Sequence, residues 1–220
     1  MQHFGVRLVK RKYSFYLKRD EFALISTKPS LPMFKNLIQK NAYTDDKGTE
    51  YKREWWEEYR KLCLRNFDLN MKCFSLLDRA DFENAVTIFL KKHRGFRKVD
   101  SFLNFDGISG YYIMILDEYK QAYIGKSDNI KKRIQSHWSH TKAFDRTLFP
   151  MYAVCSSCFS IDFFRTLDTT RIFVWKKNLS EGIEKNLIEA FPRKYCTNRI
   201  GGDISIGIEA LATLNKRNLE

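Results

Sequence analysis

Five side chains of unlike chemistry stand out in the second half of this 220-residue chain: Tyr112, Tyr123, Arg133, His137 and Glu184. The two phenols sit close to two glycines, Gly110 and Gly125, in the stretch GYYIMILDEYKQAYIGKS. Arg133 and His137 are four residues apart, so on a helix they share a face one turn from each other. Each feature alone has an ordinary use, because aromatic residues suit strands and a basic pair suits a solvated helix face. Together, two phenols, a guanidinium, an imidazole and a lone carboxylate suit the cutting of a phosphodiester. A carboxylate can hold one Mg²⁺ that keeps most of its waters and meets the phosphate oxygens. The metal and the arginine then share the negative charge that builds at phosphorus. A base must take a proton from water, and a phenol near a cation can have its pKa of about 10 lowered enough to serve.

These residues need elements that bring distant segments together. After Gly107, YYIMIL and AYIGKS read as strands joined by the loop DEYKQ, which puts Tyr112 and Tyr123 on neighbouring strands. Asp128 is the expected cap of a helix over NIKKRIQSHWSHT, with Ile130, Ile134 and Trp138 on one face. PMYAVCSSCF is an apolar connector, and TTRIFVWKKN, β-branched and aromatic, gives a third strand. Ser180 is the expected N-cap of EGIEKNLIEAF, which Pro192 ends. Gly201 and Gly202 turn into a last amphipathic helix, ISIGIEALATLNKR. Glu189 competes with Glu184 for a metal, and their i, i+5 offset puts them on different faces.

Gly110-Tyr111-Tyr112, then Tyr123-Ile124-Gly125-Lys126-Ser127, then Arg133 with His137, then Glu184 and Asn198, resemble the GIY-YIG nuclease superfamily in order and spacing. The resemblance covers roughly residues 107–203. It implies an α+β fold, a small three-stranded antiparallel sheet flanked by helices, and a single divalent ion, Mg²⁺ or Mn²⁺. By the same resemblance Tyr112 is the general base or positions the attacking water, and Tyr123 hydrogen-bonds the water or the scissile phosphate. Arg133 stabilises the transition-state charge, His137 contacts phosphate or helps move protons, Glu184 holds the metal, and Asn198 ties the site together. Lys120, three residues before Tyr123, would lower the phenol pKa of Tyr112. Apolar Ile183, Leu187 and Ile188 surround Glu184 as they do the family's glutamate, which favours it over Glu189. Tyr111 stands where the family's name has isoleucine; it should point into the core, where its phenol must find a partner. Lys126 and Ser127 are candidates for phosphate contact with a turn role equally open, and Lys131 and Lys132 extend that basic set. His140 has no place in the motif and is expected at the surface.

The composition agrees with a folded protein that meets a polyanion. Apolar residues make up 44% and charged residues 30%, which excludes a disordered chain. The 39 basic and 26 acidic side chains leave a net charge of +13, which points to a polyanion, nucleic acid above all, as the partner; that it is DNA is what the resemblance implies. Residues 1–100 hold 22 basic and 13 acidic side chains, a net of +9, against 17 and 13, a net of +4, in the rest. No apolar run approaches the roughly 20 residues of a membrane span. The N-terminus lacks the apolar core of a signal peptide, so a cytoplasmic protein is expected. Five cysteines, CSSC at Cys155 and Cys158 among them, argue against a disulfide framework and form no complete zinc site.

The first half reads as a basic, mainly helical extension over residues 1–105, joined to a nuclease domain over 106–220. It alternates basic and aromatic residues in VKRKYSFYLKR, as a hairpin or an arm, and breaks at STKPSLPMF. NAYTDDKGTE follows as a polar loop. A helix is expected from Tyr51 to about Phe67, on Trp55, Trp56, Tyr59, Leu62 and Cys63. A second is expected over DRADFENAVTIFLKKH, capped by Asp81, with Phe82, Ala85, Val86, Phe89 and Leu90 on its apolar face. Such a half, with Tyr13 and Tyr16 among its aromatics, either helps read DNA or buttresses the core. Three functions remain open: a restriction-type endonuclease, homodimeric or not, a repair or mobile-element nuclease acting on branched or damaged DNA, and a non-catalytic nucleic-acid-binding module. The absence of a long tether favours the first over a homing enzyme.

Overall fold

A computed structural model describes residues 1–9, 14–22, 47–49, 51–138, 159 and 161–198. Tyr13, the 26–34 break, most of the 41–50 loop, His140, the CSSC pair and the expected helix over 204–217 lie outside the described residues. So do the side chains of Trp56, Tyr59, Leu62 and Cys63. Among the described residues, no helix is long and apolar enough to cross a membrane, and Cys73 and Cys196 are in no disulfide.

The basic, aromatic N-terminus opens as a hairpin of β1 (Gln2–His3) and β2 (Val6–Arg7). Helix α1 (Arg53–Ser75) runs past the expected end near Phe67, because LNMKCFS contains no glycine or proline to stop it. Helix α2 (Arg79–Lys92) buries Phe82, Val86 and Phe89, the face its spacing predicts. Its cap is Asp78, whose carboxylate accepts from the Asp81 amide at 2.8 Å. Asp81, the expected cap, lies instead in the first turn, where its charge suits the positive end of the helix.

The sheet has four antiparallel strands rather than three, in the order β3-β6-β4-β5. They are β3 (Arg97–Val99), β4 (Gly110–Leu116), β5 (Gln121–Ser127) and β6 (Arg171–Lys176). The additional strand, β3, is only three residues long with Arg97 and Lys98 exposed, so no apolar alternation announces it. It pairs Arg97, Lys98 and Val99 with Val174, Phe173 and Ile172 of β6. Helix α3 (Ile130–His137) follows the β4–β5 hairpin, and α4 (Ile183–Glu189) follows β6.

Successive strand residues face opposite sides of a sheet, so β4 feeds two cores. On one side Tyr112, Met114 and Leu116 meet Ile172 and Val174 beneath α1, α3 and the aromatic run at 159–164. On the other side Tyr111, Ile113 and Ile115 meet Ala122, Ile124 and Phe173 beneath α2 and α4. Ile130, Ile134 and Trp138 are buried as the sequence predicts. The caps on this half shift by one or two residues. Asn129, not Asp128, caps α3 by accepting from the Lys132 amide at 3.0 Å. Gly182, in the left-handed conformation, begins α4 in place of Ser180. Ser180 is engaged elsewhere: its amide donates to the Tyr111 phenol at 2.9 Å, and that phenol donates back to the Ser180 carbonyl at 3.2 Å.

Candidate active site

The hairpin register places Tyr112 opposite Gly125. A Cβ on Gly125 would lie 2.6 Å from the Tyr112 hydroxyl oxygen and 2.7 Å from Cζ, so the glycine leaves the space that the ring occupies. Tyr123, on the same side of the sheet, has its ring centre 6.1 Å from that of Tyr112. The hairpin thus sets two phenols side by side without help from any loop.

Helix α3 crosses this pair with Ile130 and Ile134 buried against the sheet. That anchoring turns His137 inward, where it is buried and its Nε2 lies 2.9 Å from the Tyr112 hydroxyl. The His137 ring stands edge-on to Tyr123 at 5.0 Å between centres. Arg133, one turn earlier, is exposed to solvent, yet its guanidinium lies beside both phenols. The other nitrogen of His137, Nδ1, is 2.9 Å from a carboxylate oxygen of Asp162. Asp162 stands between buried Ile161 and Phe163 in a short 3-10 turn. No reading of the sequence singles it out, because its only sign is one acid in the apolar run IDFF.

Burial pushes the Tyr112 phenol well above its ordinary pKa, helped by Tyr123 and opposed by Arg133. The expected lowering is therefore reversed: desolvation outweighs the neighbouring cation. Tyr123 shifts upward for the same reason, burial first, with Arg133 opposing and Asp162 and Glu184 adding to the rise. Lys120 has no part in this balance. It is the left-handed residue that closes the hairpin, level with Leu116 and Gln121, four residues along β4 from Tyr112, or about 13 Å at the rise of a strand.

Glu184 reaches the site from the first turn of α4. Its side chain is 14% exposed, with one oxygen accepting from the Lys126 amide at 3.1 Å and the other 3.5 Å from the Lys126 ammonium. Glu189 is exposed at the far end of the helix. Among the described residues, no three His, Cys, Asp or Glu side chains gather as a metal cage. A single carboxylate nevertheless fits a magnesium-sized ion that keeps several waters, and Glu184 already faces one cation, the Lys126 ammonium. Asn198 braces the outer edge of β5, accepting from the Ile124 amide at 2.9 Å and donating to its carbonyl at 2.7 Å. It thereby holds the strand between Tyr123 and Gly125.

The remaining candidates divide. Ser127 works in the turn, its hydroxyl donating to the Asn129 carbonyl and accepting from the Asn129 amide, both at 3.0 Å. Lys131 is paired with Asp106 at 3.0 Å. Lys126 and Lys132 are exposed beside the site. Tyr111, where the family's name has isoleucine, is fully buried on the opposite face.

No curated protein and no solved structure matches the chain. Residues 108–195, however, match the family model of the GIY-YIG catalytic domain. That stretch contains the hairpin, α3, β6 and α4, so the part of the chain that holds the site is similar to the GIY-YIG catalytic domain, which supports membership of that nuclease superfamily.

Proposed function

We propose that the chain is a metal-dependent DNA endonuclease of restriction type, with residues 106–220 carrying the cut and residues 1–105 assisting recognition. One observation carries the reading. Arg133 lies beside both phenols, and the charge of Glu184, held on the Lys126 backbone of the same strand, also acts on Tyr123. A phosphodiester between them would meet a permanent cation, two hydroxyl groups and a carboxylate.

A magnesium or manganese ion, when bound, would share the charge on the phosphate oxygens, and Glu184 is the residue to hold it. Arg133, always protonated, would hold the opposite side of the phosphorus. Tyr123 would hydrogen-bond the phosphate or the water, and Tyr112 would take the water's proton or keep the water in line. Lys126 and Lys132 would grip the backbone on either side of the cut, adding affinity without sequence preference. The restriction-type reading draws on how the first half is attached. Helix α2 and Phe96 pack directly on the sheet, and β3 is one of its strands. Recognition would then sit rigidly on the cutting core.

Incubation with supercoiled plasmid and Mg²⁺, with and without chelator, tests this reading. Discrete fragments support restriction, cutting only at junctions or flaps supports a repair or mobile-element role, and binding without cutting leaves a non-catalytic module. Glu184→Ala is expected to abolish cutting and spare DNA binding. An unchanged rate in that variant would show that the carboxylate is misassigned.

A further inference from the structure

Behind Tyr112 a hydrogen-bond chain runs to a residue outside the motif. His137 places Nε2 2.9 Å from the Tyr112 hydroxyl and Nδ1 2.9 Å from an Asp162 oxygen. A neutral imidazole carries one proton, and an ionised carboxylate only accepts. Asp162 therefore fixes that proton on Nδ1 and leaves the Nε2 lone pair facing the phenol. In this tautomer the Tyr112 hydroxyl donates to His137, while its oxygen accepts from Arg133 and has a second lone pair for the water.

We propose that Asp162 is a positioning residue that sets this tautomer, so that Tyr112 hands its proton to His137 as it takes one from the attacking water. The last step rests on the endonuclease reading above. The water oxygen bonds to phosphorus while the bond to the leaving oxygen breaks. The water's proton passes to the Tyr112 oxygen, and the phenol's proton passes to Nε2. The imidazolium, stabilised by Asp162, then returns its proton to solvent, from which the leaving oxygen takes its own. The role matches that of the acid in a Ser-His-Asp triad, which orients an imidazole and does not itself become protonated. Tyr112 is neutral before and after, so the burial that disfavours its phenolate does not oppose the transfer.

Four groups face or flank His137: Tyr112 from β4, Tyr123 from β5, Asp162 from the 161–163 turn, and Arg133 on its own helix beside the phenols. Two readouts on the full chain test the proposal. Nitrogen-15 spectra resolve the tautomers of the four histidines, with His137→Gln giving the assignment. The wild type is expected to carry the proton on Nδ1 of His137, and Asp162→Ala to move it to Nε2. In plasmid cleavage, Asp162→Asn is expected to lower kcat by about 10²-fold or more. DNA affinity should stay within about twofold. The acid limb of kcat should move to lower pH, because the imidazolium loses its carboxylate, and Asp162→Glu should recover part of the rate. A wild-type proton on Nε2, or an Asp162→Asn enzyme with unchanged kcat and pH profile, would overturn the proposal. If the wild type cuts no DNA, the endonuclease reading fails by itself and the tautomer decides: movement on Asp162→Ala supports the positioning role, and no movement refutes it.

Discussion

Tyr111 and Tyr112 are neighbours on β4, both wholly buried, and the alternation of the strand sends them to opposite faces of the sheet. Tyr111 spends its hydroxyl on the backbone of Ser180, taking one hydrogen bond and giving another. Tyr112 is held by side chains that carry or accept charge, His137 and Arg133, both from α3. Burial alone does not distinguish a working phenol from a structural one; the partners do. The same contrast holds for whole faces. The α2–α4 face packs Phe82, Val86, Phe89 and Phe191 against the sheet. The α1–α3 face gathers His137, Asp162, Arg133 and Tyr123 at its margin around Tyr112.

The contrast can be broken most forcefully from the structural side. Phe82 is fully buried beneath the α2–α4 face, and Phe82→Ala is expected to cost about 3–5 kcal/mol of stability. The rate per folded molecule should stay normal, as urea unfolding and cleavage measured on one preparation would show. On the working face, Tyr112→Phe should slow cleavage at least about a hundredfold while the fold survives. Near-normal activity would move the base role to His137.

A smaller effect tests how the working face tolerates charge. Asp168 is buried, accepts from the Arg165 and Leu17 amides and the Tyr119 hydroxyl, and has its pKa pushed up to about 6 by burial. The unfolded carboxyl ionises near its ordinary value of about 4, so between about pH 4 and 6 the folded state binds more protons. Stability contributed by this group is present below pH 4 and lost as pH rises through 6, in the limit by about 2–3 kcal/mol. Asp168→Asn should flatten that part of a urea-midpoint profile. Smallest of all, Tyr111→Phe should leave cleavage unchanged and cost about 1 kcal/mol, the net worth of a hydrogen bond.

Much of this was legible in residue order. The two hairpin strands, β6, the apolar faces of α2 and α3, and the buried Tyr111 in need of a partner all follow from local spacing. What escaped depended on tertiary packing. Strand β3 is too short and too polar to show alternation, and it exists because β6 offers it an edge. The caps moved to Asp78, Asn129 and Gly182, since neighbouring residues of similar type compete and backbone geometry chooses among them. The direction of the Tyr112 shift was misjudged because a sequence shows the nearby cation but not the depth of burial. Asp162 is 25 residues from His137 and joins it only once the chain has folded.

A crystal structure with Mn²⁺ and DNA carrying an uncleavable phosphorothioate would test the central claim most directly. The account predicts an anomalous peak against Glu184 and the modified phosphate between Arg133 and Tyr123, with the nucleophilic water within reach of the Tyr112 oxygen. A phosphate bound elsewhere on the basic surface, with the ion away from Glu184, would contradict it.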